Sequence, residues 1–281
     1  MEISSSNLTI RISMINTDEL KPHEEIVEAT VNKLVNAIQR EGQLRDPLMV
    51  DKDDYVILDG MHRYNSLKRL GCRYSPCCLF DYNSPLIKVG AWFRVFTVDN
   101  PELLAKEALD KSGLGYSKST TKTDNSTYDP QTIAITKKGT AFVLSNAYEP
   151  LERARNAIVL EKLIVERGPQ VTYLSETAAT QALKSTEANL VITLPVFSKD
   201  QIREVALKGQ LLPHKVTRHV IPSRPLAFNI PLTFLTDTTL SCEEADRKLH
   251  EILGQRKMER KPAGSTFDGR RYDEELLIFS H

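Results

Sequence analysis

The 281-residue chain carries no surplus of charge of either sign, because 37 lysines and arginines meet 37 aspartates and glutamates. No global field draws it to nucleic acid or to an acidic membrane, which counts against a DNA-binding protein while leaving room for a local basic patch. No apolar run approaches the roughly 18 residues of a bilayer-spanning helix. The opening residues MEISSSNLTI lack the basic flank and apolar core of a signal peptide, so a soluble, cytoplasmic protein is expected. Cysteine is scarce. Cys72, Cys77, Cys78 and Cys242 are too few and too clustered for a disulfide framework. The adjacent Cys77 and Cys78 would point to opposite faces of a strand, a poor geometry for one metal, and reduced thiols are expected. Tryptophan occurs once, as Trp92. Neither a G-x-x-x-x-G-K-[ST] loop nor the protein-kinase motif set occurs, so any nucleotide is held in some other way.

What is present is a mixture of strand and helix patterns, an α/β (α+β) composition. Residues 8–15 alternate apolar and polar as a half-buried strand does, and Val31, Leu34, Val35 and Ile38 mark one face of a helix over 28–41. Strands follow at 47–50 and 55–58, then a helix over 62–70 ending at Gly71, then strands at 74–80 and 87–97. A first domain is read over 1–110. Residues 111–130, polar and rich in Ser and Thr, read as a linker or surface loop. A small α/β domain is expected over 131–208, with strands at 131–136, 140–146, 171–175 and 189–194 and helices at 149–166, 177–185 and 198–208. A C-terminal segment, 209–281, carries a polar cluster from His214 to His219, a helix over 242–258 and a last strand LLIF.

The stretch richest in chemistry is YVILDGMHRYNSLKRLG, residues 55–71. An apolar strand delivers Asp59, Gly60 permits a tight turn, and a helix starts at once. The first amides of a helix are unpaired donors at the positive end of its dipole, so such a junction suits an anion. Gly60 lets a phosphate approach the backbone, while His62 and Arg63 add side-chain donors, the arginine in a fork that fits phosphate oxygens. Asp59 at the strand end is a carboxylate suited to Mg²⁺ beside those phosphates. The plainer alternative is a helix cap at Asp59 and a surface ion pair at Arg63.

D-G-x-H-R after a strand resembles the D-G-x-x-R signature of ParB/sulfiredoxin-like domains. KPHEE (21–25) and GQLLPHKVTRHVIP (209–222) resemble two further segments of the free L-serine kinases within that superfamily. The resemblance implies a ParB/sulfiredoxin-like nucleotide-binding domain joined to a second, smaller α/β domain. It also implies transfer of a phosphoryl group from ATP or ADP, with Mg²⁺, to the hydroxyl of free L-serine. The product, O-phospho-L-serine, would feed cysteine or related metabolism.

The family's roles fall on Glu24 as the base for the serine hydroxyl and on Asp59 as the essential aspartate and metal holder. Gly60, Met61, His62 and Arg63 fall on the nucleotide-phosphate positions. Trp92, Thr217, Arg218 and His219 fall on the serine and phosphoserine pocket, with Arg218 the natural partner of a carboxylate or phosphate. Met61 departs from the archaeal kinases, which carry a second histidine there. It also departs from sulfiredoxin, whose repair chemistry needs a cysteine in this loop. The competing class is a ParB-like nucleotide-binding transcriptional regulator, but no helix-turn-helix with a basic recognition helix stands out after residue 100. The expected partners are therefore L-serine and a nucleotide, without a membrane or nucleic acid.

Overall fold

The computed structural model describes residues 1–120, 131–146, 148–185 and 187–280. The chain divides into two compact units, the first made of Met1–Lys88, Lys199–Leu211 and His219–His281, the second of Val89–Ser198 and Leu212–Arg218. These limits differ from the blocks 1–110, 131–208 and 209–281 read from composition. The chain passes from one unit to the other within the strand Lys88–Phe96, a place that no polar stretch marks.

The first unit is built on a five-stranded sheet in the order Glu2–Ser5, Leu8–Asn16, Tyr74–Phe80, Leu48–Asp51, Ile57–Asp59. Leu48–Asp51 runs parallel to Tyr74–Phe80, and the other pairings are antiparallel. All seven residues of Tyr74–Phe80 are buried, which explains the lack of polar alternation in its sequence YSPCCLF, since a strand covered on both faces has no need of it. The helix Glu28–Glu41 buries Val31 and Ile38 and stops at the left-handed Gly42. The helix Met61–Arg69 buries Met61, Tyr64, Ser66 and Leu67. From the C-terminal region, Ser223–Leu226 runs parallel to Glu275–Ser280, which also pairs antiparallel with Lys257–Lys261. The helix Cys242–Gly254 starts with a reciprocal capping box between Ser241 and Glu244, an arrangement that satisfies two otherwise orphaned amides.

The second unit holds a sheet in the order Thr172–Ser175, Lys88–Phe96, Leu190–Ile192, Thr132–Thr136, Thr140–Leu144, Tyr116–Thr120, and a strand opening at Thr217 also pairs with Lys88–Phe96. The helix Pro150–Val165 turns Ala154, Ala157, Leu160 and Ile164 inward at helical spacing. Two elements here go beyond the sequence reading. Pro101–Ser112 is a helix with proline in its first turn and the left-handed Gly113 at its end. Tyr116–Thr120, inside the stretch expected to be a loop, is an edge strand paired with Thr140–Leu144. Residues 121–130 of that stretch lie outside the described residues.

Cys72, Cys77 and Cys78 are buried and Cys242 is exposed, all unbridged. Burial pushes the Cys72 thiol up to about 11 and Cys77 and Cys78 higher still, so these three are inert core groups rather than nucleophiles.

Candidate functional site

In the first unit, the strand Ile57–Asp59 ends in Asp59, Gly60 turns the chain at φ +111°, and the helix begins at Met61. A Cβ on Gly60 would lie 2.7 Å from Leu48 Cδ2 and 3.1 Å from the Arg63 guanidinium nitrogens. Glycine is therefore required twice, by the dihedral and by the space. Gly60 is the N-cap and no side chain caps the helix, so the first-turn amides keep their capacity for an anion. The helix cap at Asp59, the plainer alternative, is not formed. Met61 is only 7% exposed, which leaves its backbone amide as its contribution to the junction.

Asp59 makes ion pairs instead. Its Oδ2 accepts from Arg63 Nη2 at 2.5 Å and from Arg224 Nη1 at 2.9 Å. Burial alone would raise this carboxyl, but the cations Arg224, Arg63 and Arg270 outweigh it and hold Asp59 far below the usual carboxylate range. Arg224 is nearly buried and its Nε reaches Glu274 Oε1 at 2.5 Å. Two guanidiniums are thus locked by carboxylates around the helix start, a preorganised positive wall. Sequence reasoning missed Arg224. A lone arginine between Ser223 and Pro225 is the only local signal, and its partner lies 165 residues earlier.

The ring of His62 is tied down as an acceptor, its Nε2 taking the Val27 amide at 3.1 Å. Any proton that His62 offers an anion therefore sits on Nδ1. His23 and His219 are buried with ring centroids 5.4 Å apart, and Tyr82 Oη lies 2.8 Å from His219 Nε2. Burial lowers His23 to about 4, against a hydrogen bond to the Ile57 backbone that acts the other way. His219 is lowered well below the ordinary range by burial and then by the neighbouring His23. Both imidazoles are neutral at physiological pH. Glu24, half-buried, follows His23 directly in the chain.

In the second unit, Trp92 lies on Lys88–Phe96 with the Arg218 guanidinium 5.5 Å and the Lys215 ammonium 5.2 Å from its ring centroid. Both distances fall within cation–π range. Thr217 is buried beside them. Behind the ring sits Arg94, fully buried. It donates from Nε to Glu161 Oε2 at 2.8 Å, from Nη1 to the Trp92 and Lys215 carbonyls at 2.8 Å each, and from Nη2 to the His214 carbonyl at 3.0 Å. Tyr173 Oη in turn donates to Glu161 Oε1 at 2.6 Å. Sequence reasoning passed over Arg94, Glu161 and Tyr173, although an arginine inside the apolar strand VGAWFRVF was a visible sign of a buried, paired charge.

The expected site residues therefore fall in two groups. Asp59, Gly60, Met61, His62 and Arg63 meet at the helix start of the first unit, with His219 within electrostatic range of Asp59. Trp92, Thr217 and Arg218 cluster in the second unit.

Residues 2–86 match the ParB N-terminal domain. Over a longer stretch, the chain is 27% identical over 224 residues to the ADP-dependent L-serine kinase SerK of Thermococcus kodakarensis, a match covering 78% of this chain and 90% of the relative. It is likewise 27% identical over 229 residues to the ATP-dependent L-serine kinase of Staphylothermus marinus, covering 78% and 89%. Among solved structures, a free serine kinase in complex with AMP superposes with a TM-score of 0.66 at 26% identity, covering 80% of this chain and 93% of that one.

Proposed function

We propose that the protein is a free L-serine kinase that transfers a phosphoryl group from ATP or ADP to the serine hydroxyl, giving O-phospho-L-serine. One observation carries the reading. The only local geometry that needs Gly60, a strand-to-helix turn with no room for a Cβ and an uncapped helix start walled by Arg63 and Arg224, is what a nucleotide phosphate needs. It lies in a chain similar over some four-fifths of its length to L-serine kinases.

Phosphoryl transfer depends on positioning and charge stabilisation rather than covalent chemistry. The amides of the first helical turn and Arg63 bind the donor phosphates, and Asp59 keeps Arg63 and Arg224 in place. Glu24 accepts the hydroxyl proton as the new bond forms. Neutral His219 offers a hydrogen bond without adding charge, and Thr217, Arg218 and Trp92 bind the amino acid.

The residues fit a Mg²⁺ carried on the nucleotide phosphates rather than one caged by protein. Among the described residues no group of three or more His, Cys, Asp or Glu could hold a metal, and Asp59 Oδ2 is already shared by two arginines. Asp59 Oδ1 would hold the ion, which when bound neutralises charge on the transferred phosphoryl group.

The test is incubation of the full chain with L-serine, Mg²⁺ and either ATP or ADP, followed by mass spectrometry for phosphoserine. Product with one or both donors is expected, and none with either overturns the reading. The match of residues 2–86 to the ParB N-terminal domain favours a second reading, a nucleotide-binding regulator. It would show DNA affinity falling steeply with salt, an outcome that the zero net charge of the chain opposes.

A further inference from the structure

We propose that Lys215 is a second anion-binding side chain of the amino-acid pocket, presented beside Trp92 by the buried guanidinium of Arg94. The inference rests on the serine-kinase reading and adds to it a residue and a positioning device.

The argument begins with the backbone. Lys215 is one of few non-glycine residues with a left-handed conformation, at φ +56°. Such a conformation persists only where its surroundings enforce it, and it clusters at binding sites. Here the enforcing group is Arg94, which takes the consecutive carbonyls of His214 and Lys215 on its two terminal nitrogens. Its own charge is compensated by Glu161. The same guanidinium holds the Trp92 carbonyl, so ring and turn are pinned to one rigid group. Tyr173 completes the frame, its hydroxyl 3.2 Å from His214 Nε2. Turning both carbonyls inward leaves the Lys215 side chain against the indole.

The charge arrangement then points to a ligand. Among the described residues, the Lys215 ammonium pairs with no carboxylate, and its recorded partner is the Trp92 ring at 5.2 Å. Arg218 shares that ring. An ammonium held against an indole without a carboxylate beside it gains from an anion bound next to it, while the ring keeps it in place. The ligand chemistry is a small oxyanion, which serine supplies as its carboxylate and the product supplies as carboxylate and phosphate.

The experiment compares wild type with Lys215→Met, which keeps the aliphatic stem and removes the charge at a partly exposed position. We expect at least a tenfold rise in KM for L-serine, with KM for the nucleotide within twofold of wild type. A parallel tenfold weakening of phosphoserine inhibition identifies the carboxylate as the anion read, and a weakening confined to phosphoserine identifies the phosphate. Serine KM and phosphoserine inhibition both within twofold of wild type overturn the proposal. If wild type forms no phosphoserine, the kinase reading has failed separately, and binding is then measured through the fluorescence of Trp92, the sole tryptophan. Equal affinity of wild type and Lys215→Met for serine and phosphoserine overturns the proposal in that case. Arg94→Lys, with Lys215 intact, should reproduce the loss in serine affinity and shift the Trp92 emission. An unchanged spectrum and KM would remove Arg94 from the device.

Discussion

The two units build their candidate sites in different ways. In the first, the chain makes the surface from its own backbone: a strand, a glycine and a helix start within a few residues, stiffened by ion pairs around a partly exposed Asp59. In the second, the candidate surface is made of the side chains of Trp92, Lys215 and Arg218, and the buried Arg94, close to Trp92 but 121 residues before Lys215, ties the two stretches together. The first kind of site is a local property that a short motif encodes. The second is a tertiary property, and no motif predicts its frame. Perturbations of the first should fall on turnover and nucleotide affinity. Those of the second should fall on the amino acid.

The largest expected effect is on chemistry. Glu24→Gln should lower kcat by roughly 10²–10⁴-fold, the usual contribution of a positioned acid–base group, with KM for both substrates little changed. Gln keeps size and hydrogen bonding, and the position just before the helix Glu28–Glu41 carries little packing. Glu25→Gln, at an exposed neighbour, should stay within twofold of wild type. A loss that appeared only in serine KM would move Glu24 from the chemistry to the amino-acid pocket and blur the contrast between the units.

Next comes acid sensitivity, to which the two buried histidines of the first unit contribute. Burial lowers His23 to about 4 when folded, against about 6.5 when unfolded, and His219 is also lowered well below the ordinary range. Between those values the unfolded chain binds more protons, so stability is complete above about pH 6.5 and is lost as pH falls towards 4. For His23 the loss is about 3 kcal/mol at 1.36 kcal/mol per unit. Urea unfolding at a series of pH values should show this slope, and His219→Gln should lower it by about one proton. A flat profile across pH 4–6.5 would mean that the imidazoles are charged in the folded state.

The same contrast governs what the sequence made legible. The helices Glu28–Glu41 and Met61–Arg69 were readable because Val31 and Ile38, and Tyr64 and Leu67, repeat at helical spacing and a glycine stops each segment. The Asp59–Gly60 junction was readable for the same local reason, as was the position of the only tryptophan. Pro101–Ser112 is equally legible, with its early proline, inward Ala105, Ala108 and Leu109, and Gly113. Tyr116–Thr120 was not legible. An exposed edge strand buries little, so its sequence YSKST carries no alternation. Arg224 and Arg94 show the same limit within the site. Their types are visible, but their partners Asp59 and Glu161 are brought near by the fold across 165 and 67 residues.

Asp59→Asn tests how the first site is held. The substitution removes the charge that anchors Arg63 and Arg224, and charge-assisted hydrogen bonds of this kind contribute about 1.5–3 kcal/mol each. A fall of roughly tenfold to a hundredfold in kcat/KM is expected, with only a small part recovered as Mg²⁺ is raised, because most of the loss lies in the arginines. Recovery at high Mg²⁺ would show instead that metal holding dominates, and turnover equal to wild type would make Asp59 dispensable to both roles.

The smallest effects come from matched glycine substitutions, one at the site in the first unit and one at a helix end in the second. Gly113 has φ +73° and nothing within 4 Å of an added Cβ. Gly113→Ala should therefore cost only the left-handed strain, about 1–2 kcal/mol, read as a modest drop in Tm with kinetics unchanged. Gly60→Ala has the strain and a collision. Its Cβ would press on Leu48, which is fully buried and has nowhere to move, and on the Arg63 guanidinium. Relief must come from the helix start or from Arg63, and either shift displaces the donors that face the phosphates. Gly60→Ala should thus lose more stability than Gly113→Ala and also raise KM for the nucleotide, while KM for serine stays near wild type. Equal Tm shifts with unchanged nucleotide KM would show that the tight turn at Gly60 serves the fold alone, and would remove the backbone-built site from one side of the comparison.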